Sequence, residues 1–174
     1  MVLETQRLLL RKLSIADAEF ILELVNEPSF LRYIGDKGVR NLDDARRYIL
    51  EGPVRSYEVN GFGLYLVELS ENGPPIGICG ILKRAELSDP DIGFAFLPAY
   101  WSKGYAVEAA AAVMSYAREV LKLTRIVAIT SPDNEASARV LAKIGLKFEQ
   151  MTKLSADAHE VKLFTAARRS HEPN

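Results

Sequence analysis

Residues 91 to 130 read as strand, helix, strand, and that order constrains the fold more than any other feature of the chain. Asp91 to Leu97 (DIGFAFL) is a β-rich run that Pro98 breaks. Gly104 then opens an Ala-rich segment, Tyr105 to Leu121, with Val107, Ala110, Ala111, Met114 and Ala117 on one helical face. Arg125 to Thr130 (RIVAIT) is short and nearly all apolar, as expected of a strand covered on both sides. A helix between the two strands predicts a parallel pair with a right-handed crossover.

The flanking segments predict antiparallel neighbours. Gly63 to Leu69 and Ile76 to Leu82 surround the turn dipeptide Asn72-Gly73, so they read as a hairpin. Glu4 to Leu13 alternates Leu8 and Leu10 with Arg7 and Arg11, which predicts one opening strand. Ser14 and Asp17 resemble a capping box, and Ala18, Ile21, Leu22 and Val25 follow at helical spacing until Pro28. Asn41 with Asp44 starts a second short helix that Gly52-Pro53 closes. Asp133 to Ile144 is a helix that Asp133 caps and Gly145 stops. Strands near Lys147 to Leu154 and Glu160 to Ala166 end the fold. The order predicts a mixed α/β (α+β) architecture. It has a mostly antiparallel sheet of about seven strands, helices on both faces and one parallel pair. A single domain over residues 1–167 and a frayed tail over 168–174 are expected.

Composition removes several function classes. The 22 Lys+Arg balance 23 Asp+Glu, so no charge footprint for nucleic acid or an anionic membrane exists. Cys79 is the sole cysteine and the two histidines stand twelve positions apart, which excludes an internal disulfide and a Cys/His zinc cage. No metal site is expected. The longest uncharged runs have eleven residues, whereas a spanning helix needs about twenty. The start MVLETQRLLLRKL lacks the apolar core of a signal peptide, so a cytoplasmic location is expected.

The segment that carries chemistry is DIGFAFLPAYWSKGYA, residues 91 to 106. A strand that feeds a helix start aims unpaired N–H groups at the crevice between them. Gly104 permits close backbone approach and the small Ala106 leaves that helix start unshielded, a setting suited to a pyrophosphate. Taken alone, Gly104 reads more simply as a turn residue before a helix. Neither GxxxxGK[ST] nor GxGxxG occurs, which disfavours a P-loop or Rossmann reading. A second constellation runs Asp133-Asn134-Glu135-Ala136-Ser137, then Leu141, Lys143 and Gly145. A capped amphipathic helix explains most of it, though not Asn134 or Ser137 in particular.

The two segments together resemble the GNAT superfamily of acyl-CoA-dependent N-acetyltransferases, and within it the RimJ/RimL branch. The resemblance also takes in the opening Thr5-x-Arg7-Leu8-x-Leu10-Arg11 and the strand Ile76-Gly77-x-x-Gly80. One departure is Trp101, three residues before Gly104, where the superfamily usually carries Gln or Arg. The resemblance implies a GNAT-like sheet with a splayed parallel strand pair and acetyl-CoA as co-substrate. Ser102, Lys103, Gly104, Tyr105 and Ala106 would wrap the coenzyme A pyrophosphate. Phe96 and Leu97 would pair their backbone with the pantetheine arm. Asn134 would bond the pantetheine or its neighbouring backbone, and Ser137 would lie near the thioester sulfur. Ser137 reads equally well as a helix serine bonded back to a carbonyl.

The implied reaction transfers an acetyl group to a primary amine by direct attack in a ternary complex. The acceptor is a protein N-terminal α-amine or a small-molecule amine. The base is open between Asp91, Glu86 and a bridging water. Three acids in six residues (Glu86, Asp89, Asp91) at a cleft mouth would favour a cationic amine. His159 is a further candidate that strand alternation leaves at a surface turn. Cys79 sits in an apolar run without an adjacent base, so it is not expected to act as a nucleophile. The alternative reading is a non-catalytic acyl-CoA-binding regulatory module. Family habit adds a homodimer, which no sequence feature carries.

Overall fold

The computed structural model describes residues 2–70 and 72–166; the predicted tail over 168–174 lies outside them. The opening segment is a hairpin rather than one strand. A turn at Thr5, closed by Thr5 N–H to the Leu8 carbonyl (2.9 Å), separates β1 (Leu3–Glu4) from β2 (Leu8–Lys12). The Ser14/Asp17 capping box forms as predicted and leads into α1 (Ala18–Val25).

Two proline signals turn out otherwise. Pro28 starts a helix, α2 (Pro28–Tyr33), because a first-turn proline forfeits only an N–H that has no helical partner. Asn41 caps α3 (Leu42–Ile49) by accepting from Asp44 N–H, as expected. Pro53 does not end that helix. The backbone widens into a π turn over Leu50–Val54, which absorbs the proline ring, and continues as α4 (Arg55–Asn60). Gly61, at φ 78°, provides the stop.

The strands β3 (Leu64–Leu69), β4 (Pro75–Leu82) and β5 (Asp91–Phe96) form the predicted antiparallel meander. Helix α5 (Tyr105–Glu119) crosses to β6 (Val127–Thr130). Helix α6 (Glu135–Lys143), β7 (Leu146–Thr152) and β8 (Val161–Ala166) complete the fold. The sheet has eight strands in the order β1-β2-β3-β4-β5-β6-β8-β7, one more than the sequence suggests because the opening segment is split. Among the described residues only β5 and β6 pair in parallel.

Two cores flank the sheet. On one face α5 presents Ala109, Ala110, Val113, Met114 and Ala117, all buried against Leu8, Leu10, Cys79 and Ile81. Three alanines in that row let the helix backbone lie close to β4 and β5. On the other face Ile21, Leu24, Ala45 and Ile49 of α1 and α3 cover Leu66 and Ile78. No helix among the described residues is long and apolar enough to cross a membrane.

Candidate active site

The site begins where β5 and β6 part. They meet at a single register, Asp91 opposite Val127, with Val127 N–H donating to the Pro90 carbonyl at 3.0 Å. Above that point β6 leaves. β5 stays paired with β4 throughout, and Leu97 N–H donates to the Ile76 carbonyl at 2.9 Å. In an antiparallel pair, backbone groups of successive residues point to alternate sides. Residues 91, 93, 95 and 97 therefore face β4, while 92, 94 and 96 face the gap. Phe94 offers both N–H and C=O to the gap, and Phe96 offers its N–H. The Phe96 carbonyl is already taken by the Trp101 indole N–H at 2.8 Å. Leu97, grouped with Phe96 in the sequence reading, thus has its N–H committed to β4. It packs on the α1–α3 core instead.

The gap leads to the start of α5. Ser102 and Gly104 both lie in the left-handed region, at φ 59° and 82°. Gly104 is the helix N-cap and brings no side chain to the first turn, so the N–H groups there stay open. The helix dipole adds partial positive charge at the same place. Beneath the loop, Arg7 acts as a brace. Its Nε pairs with Glu108 Oε2 at 2.7 Å, and its Nη1 donates to the Lys103 carbonyl at 2.9 Å. Its guanidinium lies 4.5 Å from the Tyr105 ring centre. Glu108 also accepts from the Thr5 hydroxyl and the Arg7 N–H. Lys103 does not line the cleft, and its ammonium lies 5.9 Å from the Tyr100 ring centre.

The opposite wall is the start of α6. Asn134, not Asp133, is the cap: its Oδ1 accepts from Ser137 N–H at 3.1 Å. The carboxylate of Asp133 is occupied by the Ser131 hydroxyl (2.7 Å) and by Arg32 of α2 (3.0 Å). The Ser137 hydroxyl makes no hydrogen bond to a helix carbonyl among the described residues, so it is free to face the gap. One cleft of about 860 Å³ joins these parts. Asp91, Phe96, Ser102, Gly104, Tyr105, Ala106, Asn134 and Ser137 all line it, while Glu86, Leu97 and Lys103 do not.

The acetyltransferase (GNAT) domain model matches residues 7–147. The chain belongs to the GNAT acetyltransferase family. It is 32% identical over 149 residues to the uncharacterized N-acetyltransferase YoaA of Bacillus subtilis, spanning 85% of this chain and 84% of that one. A GNAT-family acetyltransferase of Bacillus anthracis superposes with a TM-score of 0.79 at 28% identity, over 98% of this chain and all (100%) of the other. RimL, a ribosomal L7/L12 α-N-protein acetyltransferase solved with coenzyme A, shares the fold (TM-score 0.76, 20% identity, 94% and 96% coverage). This GNAT protein is therefore an acyltransferase.

In this GNAT chain the candidate bases differ in setting. Asp91 is 1% exposed and sits at the point where β5 and β6 part. Burial pushes its carboxyl above the usual aspartate range, although Arg84 opposes the shift from 3.0 Å. Glu86 is exposed in the loop outside the cleft. Asp89 is tied to Arg125 at 3.0 Å. Of the acids expected at the cleft mouth only Asp91 lines the cleft, and Asp91 and Asp89 are each paired with an arginine. His159 lies exposed, and burial pushes the Cys79 thiol up, consistent with an inert thiol. Sequence reasoning missed the brace role of Arg7, though its place in the opening motif was a hint. It also missed the indole of Trp101 on the strand edge.

Proposed function

We propose that this protein transfers the acetyl group of acetyl-CoA to a primary amine, by direct attack within a ternary complex. The observation that carries the reading is the short open edge of β5, which runs from the bare N-terminus of α5 to Asp91. The pyrophosphate would sit on the N–H groups of Ser102 to Ala106. Phe94 and Phe96 would pair with the amides of the pantetheine arm as an added strand does. Acetyl-CoA supplies an activated acyl group as a thioester.

The remaining work falls to the side chains. An alkyl ammonium cannot attack, so a group near the apex must accept a proton. Asp91 lines the cleft and its raised carboxyl suits that role, directly or through a water. The Ser137 hydroxyl would donate toward the departing sulfur. Alignment of the two substrates in one cleft supplies much of the rate. Both an N-terminal α-amine and a small-molecule amine fit this chemistry.

The test is release of free thiol from acetyl-CoA against a panel of N-terminal peptides, polyamines, aminoglycosides and amino acids. Turnover with at least one amine is expected, and both Asp91→Asn and Ser137→Ala should lower it while coenzyme A affinity holds. No thiol release with any amine, despite tight coenzyme A binding, would overturn the reading in favour of a non-catalytic binding module.

A further inference from the structure

The cleft does not stop at the apex. It continues toward α2 and α3, where Glu27, Lys37, Tyr48 and Arg84 line its far end. The charges there are arranged unusually. Arg84 uses its Nε on both Asp91 oxygens, at 3.1 and 3.0 Å. Its two terminal nitrogens have no partner among the described residues. A guanidinium held by Nε alone keeps a planar pair of donors, the geometry that takes a carboxylate or phosphate in two-point contact.

Lys37 lines the same end of the cleft and also has no ion-pair partner among the described residues. Its residue is exposed over much of its surface. Even so, loss of water around the ammonium and the nearby charge of Arg84 hold it below the usual lysine range. Burial raises the Tyr48 hydroxyl, and Arg84 again acts on it. Two cations and a phenol thus line this end together; Asp91 meets Arg84 through Nε alone, and Lys37 is in no ion pair among the described residues. The neighbouring aspartates are engaged elsewhere: Asp36 with Arg40, and Asp44 with Arg47. Glu27 and Glu51 are in no ion pair among the described residues; Glu27 lines the cleft and can attract an ammonium, while Glu51 lies on the far side of Lys37 and Tyr48 from it.

The spare terminal N–H pair of Arg84 and the unpaired ammonium of Lys37 are donors that an external anion can take. We infer that the acceptor amine carries an anionic group, a carboxylate or phosphate, which Arg84 and Lys37 bind at the α2–α3 end of the cleft. The inference rests on the acetyl-transfer reading above and narrows its acceptor. It disfavours polyamines, whose charges are all positive, and peptide termini that lack an acidic group near the amine.

The test compares matched amines in the thiol-release assay: β-alanine with its amide, and O-phosphoethanolamine with ethanolamine. In at least one pair the acid-bearing member should have a kcat/KM tenfold or more above its neutral match. Lys37→Gln should shrink that ratio toward one through KM, and Lys37→Arg should keep it. A neutral match that reacts as well as the acid, or an unchanged ratio in Lys37→Gln, would overturn the inference. Calorimetric titration of the same compounds into the coenzyme A-loaded protein decides the matter without turnover. Binding of an acid-bearing member, weakened fivefold or more by Lys37→Gln, supports the anion subsite even if acetyl transfer fails. Absence of binding by either acid-bearing compound overturns it.

Discussion

Replacing Arg7 by Ala tests whether the loop before α5, the proposed pyrophosphate site, is held from below. The side chain makes three contacts: the Glu108 pair, the Lys103 carbonyl and the Tyr105 ring. Arg7 is 43% exposed in its side chain, so the ion pair is worth at most about 1 kcal/mol. The bond to the carbonyl adds roughly 1 kcal/mol, discounted for the same exposure. The stacked guanidinium adds about 0.5 kcal/mol. Some 2 kcal/mol of loop ordering is therefore at stake, and it moves from the fold onto ligand binding. At about 1.4 kcal/mol per tenfold, coenzyme A affinity should fall ten- to thirtyfold. The Glu108 carboxylate keeps the Thr5 hydroxyl and the backbone N–H of residue 7, so the fold itself should survive. Calorimetric titration of coenzyme A needs no knowledge of the acceptor and reads the effect directly. Arg7→Lys keeps the charge but not the two-point geometry, and should fall between the two. A dissociation constant within twofold of wild type, with the melting temperature unchanged, would refute the brace.

Four further outcomes are expected. Asp17, 8% exposed, is pushed up by burial, but Arg11 and the Ser14 N–H outweigh that and hold it below the ordinary aspartate value. Its contribution is therefore full above about pH 4 and fades as pH falls through the lower folded value. Asp17→Ala should cost about 3 kcal/mol at pH 7 by urea unfolding and flatten the acid limb; an equally steep limb would count against this. Asp91 has the opposite sign: its folded value is raised, so ionising it subtracts stability as pH climbs past the ordinary aspartate range. Asp91→Asn should leave stability at pH 7 within about 1 kcal/mol of wild type while turnover drops on the order of a hundredfold. A threefold drop or less would remove Asp91 from the reaction. Gly80→Ala would put a Cβ 2.0 Å from the Gly63 carbonyl oxygen, and should destabilise by about 3 kcal/mol or leave the protein insoluble. Trp101→Phe removes the cap on Phe96 and should weaken coenzyme A by up to about fivefold, checked by the same titration.

Much of the fold was legible because local chemistry and tertiary packing agree. Asn72-Gly73 turns the hairpin, the Ser14/Asp17 box forms in full, and Gly104 stands at the start of α5. The failures share a cause: a residue type permits two roles and only context selects one. Pro28 ends one helix in the sequence pattern and begins another in the structure. Pro53 breaks an ideal helix but survives in a widened turn. In the site, Leu97 falls out because strand parity is set by the β4 register, which one strand's sequence does not contain. The fate of the acids was hidden for the same reason. Arg84 and Arg125 reach Asp91 and Asp89, and the sequence alone does not say which arginine meets which acid.

The gap between β5 and β6 is also a hazard that the fold contains by its length. An unpaired strand margin inside a sheet invites any extended polypeptide to dock on it. Here the margin is closed below by Val127 on Pro90 and above by the indole on the Phe96 carbonyl. What remains is a short stretch centred on the N–H and C=O of Phe94 and the N–H of Phe96. That is too short to register a peptide strand, yet long enough for a slender guest with a couple of amides. Selection by ruler, rather than by side-chain shape, would keep other chains off this edge of the cleft.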